Sequence, residues 1–298
     1  MEIIVPLLTV LGLSLFEVIS SIDNAIINAE VLSGMGKRAR RWFLLWGMLF
    51  AVFVVRGLLP FLILWLVVPN LGIGGLIGAV FSNDPHVAKT LEESSHFLLL
   101  GGGVFLLFLF FHWLFLEQKH FGFIGERFFY SQGVWFYAIV SILLAVIVWF
   151  SIQQNPLLAF SAVIGSTAFF ITHGFKQQAE MAEQKLLKSN LSDVSKIMYL
   201  EVIDTTFSID GVLGSFAFTL FIPLILLGNG LGAIVLRQLT ISNIERIKKY
   251  LYLKNGAMYS ILFLGSIMIL DAFGANIPQW ISPVITVVVV TYFYVKSK

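Results

Sequence analysis

Two carboxylates and an amide lie in an apolar segment near the start of the chain, in the stretch Glu17-Val18-Ile19-Ser20-Ser21-Ile22-Asp23-Asn24. The pattern recurs 187 positions later in Asp204-Thr205-Thr206-Phe207-Ser208-Ile209-Asp210-Gly211. Both stretches belong to segments long enough to cross a bilayer. A carboxylate at the centre of a membrane costs about 2.5 to 3.5 kcal/mol on insertion scales, so several of them in one chain indicate a function. We expect that they hold a cation during transport.

The composition is that of a membrane protein. Hydrophobic residues make up 58% of the 298 residues and charged residues 12%, whereas about 25% of the residues in soluble domains are charged. The chain has no cysteine, which excludes disulfides, thiolate-bound zinc and cysteine nucleophiles. It also carries no nucleic-acid signature. The first apolar segment has no basic region before it and is expected to be a retained span.

Nine apolar runs approach or exceed the roughly 20 residues that cross the hydrocarbon core of a bilayer. They fall at about 3–31, 42–68, 96–116, 134–152, 156–175, 197–219, 221–242, 256–273 and 279–295. The sequence therefore predicts an all-α fold, a polytopic membrane helical bundle of about nine spans forming a single transmembrane domain over residues 1–298. The segment from Pro69 to Ser95 is expected to lie outside, and its Gly-rich apolar part, Leu71 to Phe81, is expected to be interfacial, with a re-entrant segment as the alternative.

The positions of lysine and arginine predict the orientation of the spans. If the N-terminus is outside, 16 of the 19 basic residues fall in inner segments, Lys89 falls outside, and Arg56 and Arg237 fall within spans. This asymmetry is what the positive-inside rule predicts. We therefore expect a multi-pass protein of the plasma (inner) membrane with its N-terminus outside and its C-terminus in the cytoplasm.

The two acidic spans run in opposite directions in this topology, because the first runs from outside to inside and the sixth, which follows five crossings, runs from inside to outside. The sequence therefore predicts an inverted three-helix repeat, with repeat one at residues 1–117 and repeat two at residues 197–274. An inserted pair of spans with a cytosolic linker occupies residues 118–196, and a final span occupies residues 275–298. Inverted repeats with interrupted polar helices near the midplane are common in secondary transporters.

The acidic stretches offer only oxygen ligands. The predicted metal ligands are Glu17, Asp23, Asn24, Asp204 and Asp210, and the predicted supporting residues are Ser20, Ser21, Ser208, Glu201, Arg56 and Arg237. Such oxygens suit manganese, calcium and magnesium better than zinc or copper. The five acids and two arginines of this set sum to a formal charge of minus three if all are ionised. A divalent cation nearly neutralises that charge, and protons do so in its absence; carboxylates that stay protonated fit the same arithmetic.

The six-residue spacing of the acids limits how one ion is held. On an unbroken α-helix, Glu17 and Asp23 lie roughly 120° apart in azimuth and about 9 Å apart along the axis. Two arrangements remain open. Either the backbone unwinds around Ser20 to Asn24, or each copy contributes one acid to a shared site between the repeats.

Three further features are expected to be structural. His96, His112 and His173 lie near predicted span ends, where an interfacial histidine is more common than a ligand. The run Gly101-Gly102-Gly103 is expected to permit close helix packing. The aromatic-rich run from Phe105 to Phe115 is expected to face lipid.

Both acidic stretches resemble the TerC family of integral membrane proteins, within the superfamily that includes LysE-type exporters. The family pattern Glu-x5-Asp-Asn is similar to Glu17, Asp23 and Asn24, and its pattern Asp-x5-Asp is similar to Asp204 and Asp210. Further similar elements are Phe216-Ala217-Phe218-Thr219, Leu236-Arg237-Gln238-Leu239 and Tyr252-Leu253-Lys254-Asn255-Gly256. The usual Asp-Ser-Ile-Pro of the family is replaced by Asp210-Gly211-Val212-Leu213, and spans four and five have no counterpart, so the chain resembles a divergent branch.

The resemblance implies metal-ion homeostasis, with manganese export as the expected activity. The expected function is thus a secondary transporter that exports a divalent cation as its substrate, coupled to protons, with no separate cofactor and no enzymatic activity. Alternatives are a transporter of an organic or amino-acid substrate and a membrane scaffold that partners translocation machinery. The expected partners are the metal ion and the lipid bilayer, with a homo-oligomer or a membrane-machinery partner left open.

Overall fold

The computed structural model describes residues 4–47, 50, 54, 56–67, 85–187, 192–247 and 249–298, and the regular structure within them is helical throughout. The α-helices found there are α1 Ile4–Ser20, α2 Ile22–Ser33, α3 Lys37–Trp42, α4 Arg56–Val67, α5 Pro85–Leu116, α6 Ile124–Ser131, α7 Trp135–Gln154, α8 Pro156–Leu187, α9 Asp193–Ser215, α10 Ile222–Ile247, α11 Leu253–Ala272 and α12 Ile281–Lys296. A π-helical turn, Phe43–Gly47, continues α3. The predicted all-α class is confirmed.

Several helices have the length and composition of membrane spans. Within the described residues, four qualify singly: Ser94–Leu116, Trp135–Gln154, Pro156–Gln178 and Leu253–Ala272. The segments Ile4–Ser20 and Asn24–Ser33 qualify together as one span bent by 58°. The helical and apolar character of the bundle thus agrees with a membrane protein, whereas nine crossings, their direction and the inverted repeat remain predictions. Predicted span two is described only in part, and residues 69–84 of the predicted outer segment lie outside the described residues.

The boundary between α9 and α10 contains no charged residue. The chain leaves α9 at Ser215, and the backbone N–H of Phe221 donates to the hydroxyl oxygen of Thr219 over 3.1 Å just before α10 begins. Pro223 then lies in the first turn of α10, where its missing N–H removes no helical hydrogen bond. A side-chain turn and a proline therefore separate two helices without a solvated loop.

The centre of the bundle is α5, which packs against α11 on one side and α8 on the other. Phe105, Phe108 and Trp113 are each at most 1% exposed, and Phe108 meets Phe169 of α8 edge to face at 5.7 Å. The expectation that Phe105 to Phe115 faces lipid is therefore wrong. The run was too uniformly apolar to show which face is buried, and the two neighbouring helices cover it from both sides.

Glycine allows α5 to approach both neighbours closely. A methyl group on Gly165 of α8 would lie 2.0 Å from the carbonyl oxygen of Gly101, and one on Gly103 would lie 2.9 Å from the carbonyl oxygen of Gly265 in α11. Backbones that close leave no room for any side chain. The predicted packing role of the glycine run is confirmed.

Helices from the two predicted repeats pack on each other in a reciprocal way. α1 of the first half lies against α10 of the second, α4 of the first lies against α9 of the second, and the third helices, α5 and α11, pair together. This packing of helices between the two halves brings both acidic stretches to the same region of the bundle.

A buried glutamate joins two helices beyond the end of α5. Glu126, 1% exposed, accepts hydrogen bonds from the backbone N–H of Gly122 at 2.7 Å, the Asn255 amide at 3.0 Å and the Tyr259 hydroxyl at 3.0 Å. Three donors satisfy a buried carboxylate, so hydrogen bonds to Glu126 hold α6 to α11.

Glu117, just past the end of α5, predicts a pH dependence of stability. Burial alone would raise the pKa of Glu117, but His112 and Lys254 outweigh burial and hold the pKa well below its ordinary value of 4.5. Lys254 lies 2.6 Å from the carboxylate. A lowered folded-state pKa adds stability above the ordinary value, and this stability is lost as the pH falls below about 4.5.

We expect Lys254→Met to weaken this loss of stability in acid. Since Glu117 is 29% exposed, the change should be about 1 kcal/mol or less. Thermal unfolding of the detergent-solubilised protein between neutral and acidic pH measures it, with the exposed Lys37→Met as the control. An unchanged pH profile in Lys254→Met would contradict the assignment.

Candidate functional site

The first acidic stretch lies at the bend between α1 and α2. Glu17 is in the last turn of α1, Ser21 is the residue between the helices, and Asn24 is in the first turn of α2. The Ser21 hydroxyl donates to Glu17 Oε1 over 2.9 Å. The first copy is interrupted at Ser21 alone: the Ser21 N–H still donates to the Glu17 carbonyl oxygen over 3.2 Å, and the Ala25 N–H donates to the Ser21 carbonyl oxygen over 3.0 Å. The break is therefore a bend at one residue and not the unwinding around Ser20 to Asn24 that the spacing left open. In the second copy the helix is unbroken, because Asp204 and Asp210 both lie within α9.

Glu17 forms a buried ion pair with Arg56 at the start of α4. The guanidinium Nη2 lies 2.7 Å from Glu17 Oε1, and the two side chains are 7% and 1% exposed. A methyl group on Gly232 would lie 2.7 Å from Glu17 Cβ, and one on Gly211 would lie 3.2 Å from Glu17 Oε2. Glycines of α9 and α10 therefore leave the space in which the side chain of Glu17 lies.

The second acidic stretch reaches the same place through Asp204. The Asn24 amide donates to Asp204 Oδ1, which ties α2 to α9. The amide oxygens of Asn24 and Asn28 are buried, and neither accepts a hydrogen bond from the described part of the protein. Asn24 and Asn28 are four residues apart on α2 and so share one face of the helix. Two buried acceptor oxygens therefore lie beside a carboxylate.

These residues line a cavity of about 90 Å³. Its polar lining consists of Ser21, Asn24, Asn28, Arg56, Asp204 and Arg237. The apolar lining includes Phe43 and Gly47 of the π-helical turn. Five helical segments thus contribute to one small polar space where the two predicted repeats meet.

Asp210 lies apart from this cavity. Its carboxylate pairs with Lys176 of α8, and the two side chains are 13% and 14% exposed. Six residues along α9 turn it to a different face from Asp204, as the helical geometry requires. The predicted fifth span ends at residue 175, but α8 continues to Leu187, and the Lys176 side chain is mostly buried within the bundle.

The remaining predicted site residues fall into three groups. Ser20 and Ser208 donate to the backbone carbonyls of Glu17 and Asp204 at 3.3 and 2.7 Å and do not line the cavity. Both carboxylate oxygens of Glu201 are buried without a donor among the described residues. The side chain of Asp23 lies outside the described residues, so its role as a ligand remains a prediction.

The ionisable groups at the cavity balance one another. Asp204 and Arg237 line it with opposite formal charges, and Arg56, which also lines it, is paired with Glu17, which does not. Among the described residues, no three His, Cys, Asp or Glu side chains are gathered as a metal-binding group. A cation in this cavity would therefore rely on amide and hydroxyl oxygens beside Asp204, with Asp23 as the further candidate.

Two residues of this region were not anticipated from the sequence. The sequence could have indicated Asn28, since a polar amide four residues after Asn24 in an apolar segment lies on the same face of a helix. Nothing in the sequence indicated that Lys176 is mostly buried, because a lysine at the end of an apolar run usually marks the end of a membrane span.

The chain is similar to a known protein family. The profile of a family described as "Protein of unknown function (DUF475)" matches residues 22–298. The chain belongs to the DUF475 family. The DUF475 match contains Asn24, Asn28, Arg56, Asp204 and Arg237, whereas Glu17 and Ser21 precede it. Comparisons with curated proteins and with solved structures gave no match. Membership of DUF475 assigns no activity, and the resemblance to TerC remains a prediction.

Proposed function

We propose that this DUF475 protein is a secondary transporter that moves a divalent cation, with manganese as the favoured substrate, outward across the plasma membrane. The observation that carries the proposal is the pair of buried amide oxygens, of Asn24 and Asn28, beside Asp204 at a helix break. Buried acceptors without donors are rare in folded proteins, and a cation is a partner that satisfies all of them together.

The size of the cavity favours an ion over an organic substrate. Pockets for organic ligands measure about 300 to 1,000 Å³, whereas this cavity measures about 90 Å³. One water takes about 30 Å³ of liquid, so the cavity fits an ion with part of its hydration shell. An amino acid would need a larger cavity.

The reciprocal packing of helices supports an alternating-access mechanism. In inverted-repeat transporters the substrate site lies where the repeats meet, and rocking of one repeat against the other exposes it to each side in turn. Here α1 packs on α10 and α4 packs on α9, and residues of α4, α9 and α10 line the cavity. We propose an N-out, C-in topology of nine spans for this motion.

Export of the cation requires coupling to another gradient. Moving two charges against an inside-negative potential of about 100 mV costs about 4.6 kcal/mol, at roughly 2.3 kcal/mol per charge. Carboxyl groups that bind protons when the cation leaves would provide that coupling.

A structural role is the second candidate, and the ion pairs favour it. The pairs Glu17–Arg56 and Lys176–Asp210 join different helices. In a membrane scaffold these charges would serve only to hold the helices together.

Thermal unfolding with added ions separates these functions. A ligand present at 100 times its Kd stabilises the folded state by about 2.7 kcal/mol. We expect manganese to raise the melting temperature of the purified protein more than zinc does, and a panel of amino acids to have no effect. We expect Asp204→Asn to remove the response, since asparagine keeps an acceptor for the Asn24 amide but loses the charge. Stabilisation by an amino acid, or by no ion, would contradict the proposal.

A further inference from the structure

We propose that Glu201 is the group that binds the coupling proton, at a position separated from the cation cavity by the π-helical turn Phe43–Gly47. This inference rests on the proposed function and adds a second, proton-specific site to it. It assigns proton binding and cation binding to different side chains.

Glu201 is a carboxyl group without polar partners. Both of its oxygens are buried, and neither has a hydrogen-bond donor among the described residues. Glu126 is the contrasting case, because that buried carboxylate accepts three hydrogen bonds. An ionised carboxylate shielded from water without donors is strongly disfavoured, so Glu201 carries a proton in this conformation.

The charged groups around Glu201 do not offset this effect. Asp204 lies one turn further along α9 and is itself acidic. Arg56 of α4 is bound to Glu17, and Lys176 of α8 is bound to Asp210. The basic side chains of α3, namely Lys37, Arg38, Arg40 and Arg41, are exposed. The side chains of Asp23 and Glu30 on α2 lie outside the described residues.

Gly47 leaves the space that the carboxyl group of Glu201 occupies. A methyl group on Gly47 would lie 2.1 Å from Glu201 Oε1. Gly47 also lines the polar cavity that contains Asp204 and Arg56. On its other side, Gly47 and Glu201 line an apolar groove of about 730 Å³ together with Trp42, Trp46, Met198 and Val202. The glycine is therefore shared by the two compartments.

The wall between the compartments is a π-helical turn, which is a local irregularity that is often found at functional sites. A shift of this turn toward regular α-helix would move Gly47 and change the surroundings of Glu201. In the cation-loaded state, Glu201 would release its proton to water; when the cation leaves, Glu201 would take up one proton from water.

Infrared difference spectroscopy of the full-length protein tests the protonation directly. At neutral pH, the spectrum of the wild type minus that of Glu201→Gln should show the C=O stretching band of a protonated carboxyl group. The matched control is Glu126→Gln, whose difference spectrum should show only an ionised carboxylate. Absence of the protonated band in the Glu201→Gln difference would overturn the inference, whether or not the protein transports a metal.

Transport in proteoliposomes tests the coupling role. We expect Glu201→Gln to retain stabilisation by manganese and exchange of manganese across the membrane, but to lose acceleration by a pH gradient. Full pH-driven transport by a folded Glu201→Gln protein would overturn the coupling role alone. A wild type that shows the protonated band but neither binds nor moves manganese would instead overturn the proposed function and the coupling role together.

Discussion

Replacing Arg56 with methionine is expected to lower the free energy of unfolding by about 3–5 kcal/mol, because the change leaves a buried charge without its partner. Glu17 is 1% exposed in the ion pair with Arg56. After the replacement, the Ser21 hydroxyl is the side-chain donor left to Glu17 Oε1 among the described residues. The carboxylate must then take up a proton or draw water into the bundle.

The double variant Glu17→Gln/Arg56→Met separates loss of the charge pair from loss of packing. It should recover much of the lost stability, because no unpaired charge remains. Lys254→Met is the control, since it breaks a pair with a 29% exposed glutamate and such pairs contribute about 0–1 kcal/mol. Denaturant titrations in one detergent give all three values. If Arg56→Met and Lys254→Met lowered the free energy of unfolding equally, the buried ion pair would contribute no more to stability than the exposed one.

Replacing Gly165 with alanine is expected to destabilise the bundle at its centre. The added methyl would lie 2.0 Å from the carbonyl oxygen of Gly101, and a backbone atom cannot rotate away as a side chain does. α5 and α8 must separate, which loosens the packing of Phe108 against Phe169. Overpacking typically costs about 1–3 kcal/mol, and we expect this case at or above the upper value.

Gly174→Ala, on the same helix, is the matched control. A methyl group there would meet no atom within 4 Å, so the helix propensity of alanine should raise stability by up to about 1 kcal/mol. Melting temperatures of the two variants in the same detergent measure the difference. Similar melting temperatures would mean that the close approach of α5 and α8 is not required for the fold.

The helical class and much of the cavity could be predicted from the sequence. The lengths of the apolar runs predicted helices. The repeated acidic stretch predicted Glu17, Asn24 and Asp204 as site residues, and the structure places these three together. The six-residue spacing limited how one ion could touch both acids of a copy on an unbroken helix, and Asp204 and Asp210 do have partners on different helices.

What the sequence could not predict depends on contacts between distant segments. The partner of Asp210 is Lys176, which lies just past the end of the predicted fifth span. The burial of Phe105 and Phe108 follows from the helices on both sides of α5, and an all-apolar helix carries no periodic signal of its buried face. The shielding of Glu201 depends on the glycine at position 47 in another helix.

The central claim is that the cavity beside Asp204 carries a divalent cation across the membrane, and manganese uptake into proteoliposomes tests it most directly. With a proton gradient imposed across the vesicle membrane, the wild type should accumulate manganese, and a folded Asp204→Asn variant should not. Glu126→Gln should retain uptake, because Glu126 lies outside the cavity. Absence of uptake by the folded wild type, or full uptake by Asp204→Asn, would contradict the account.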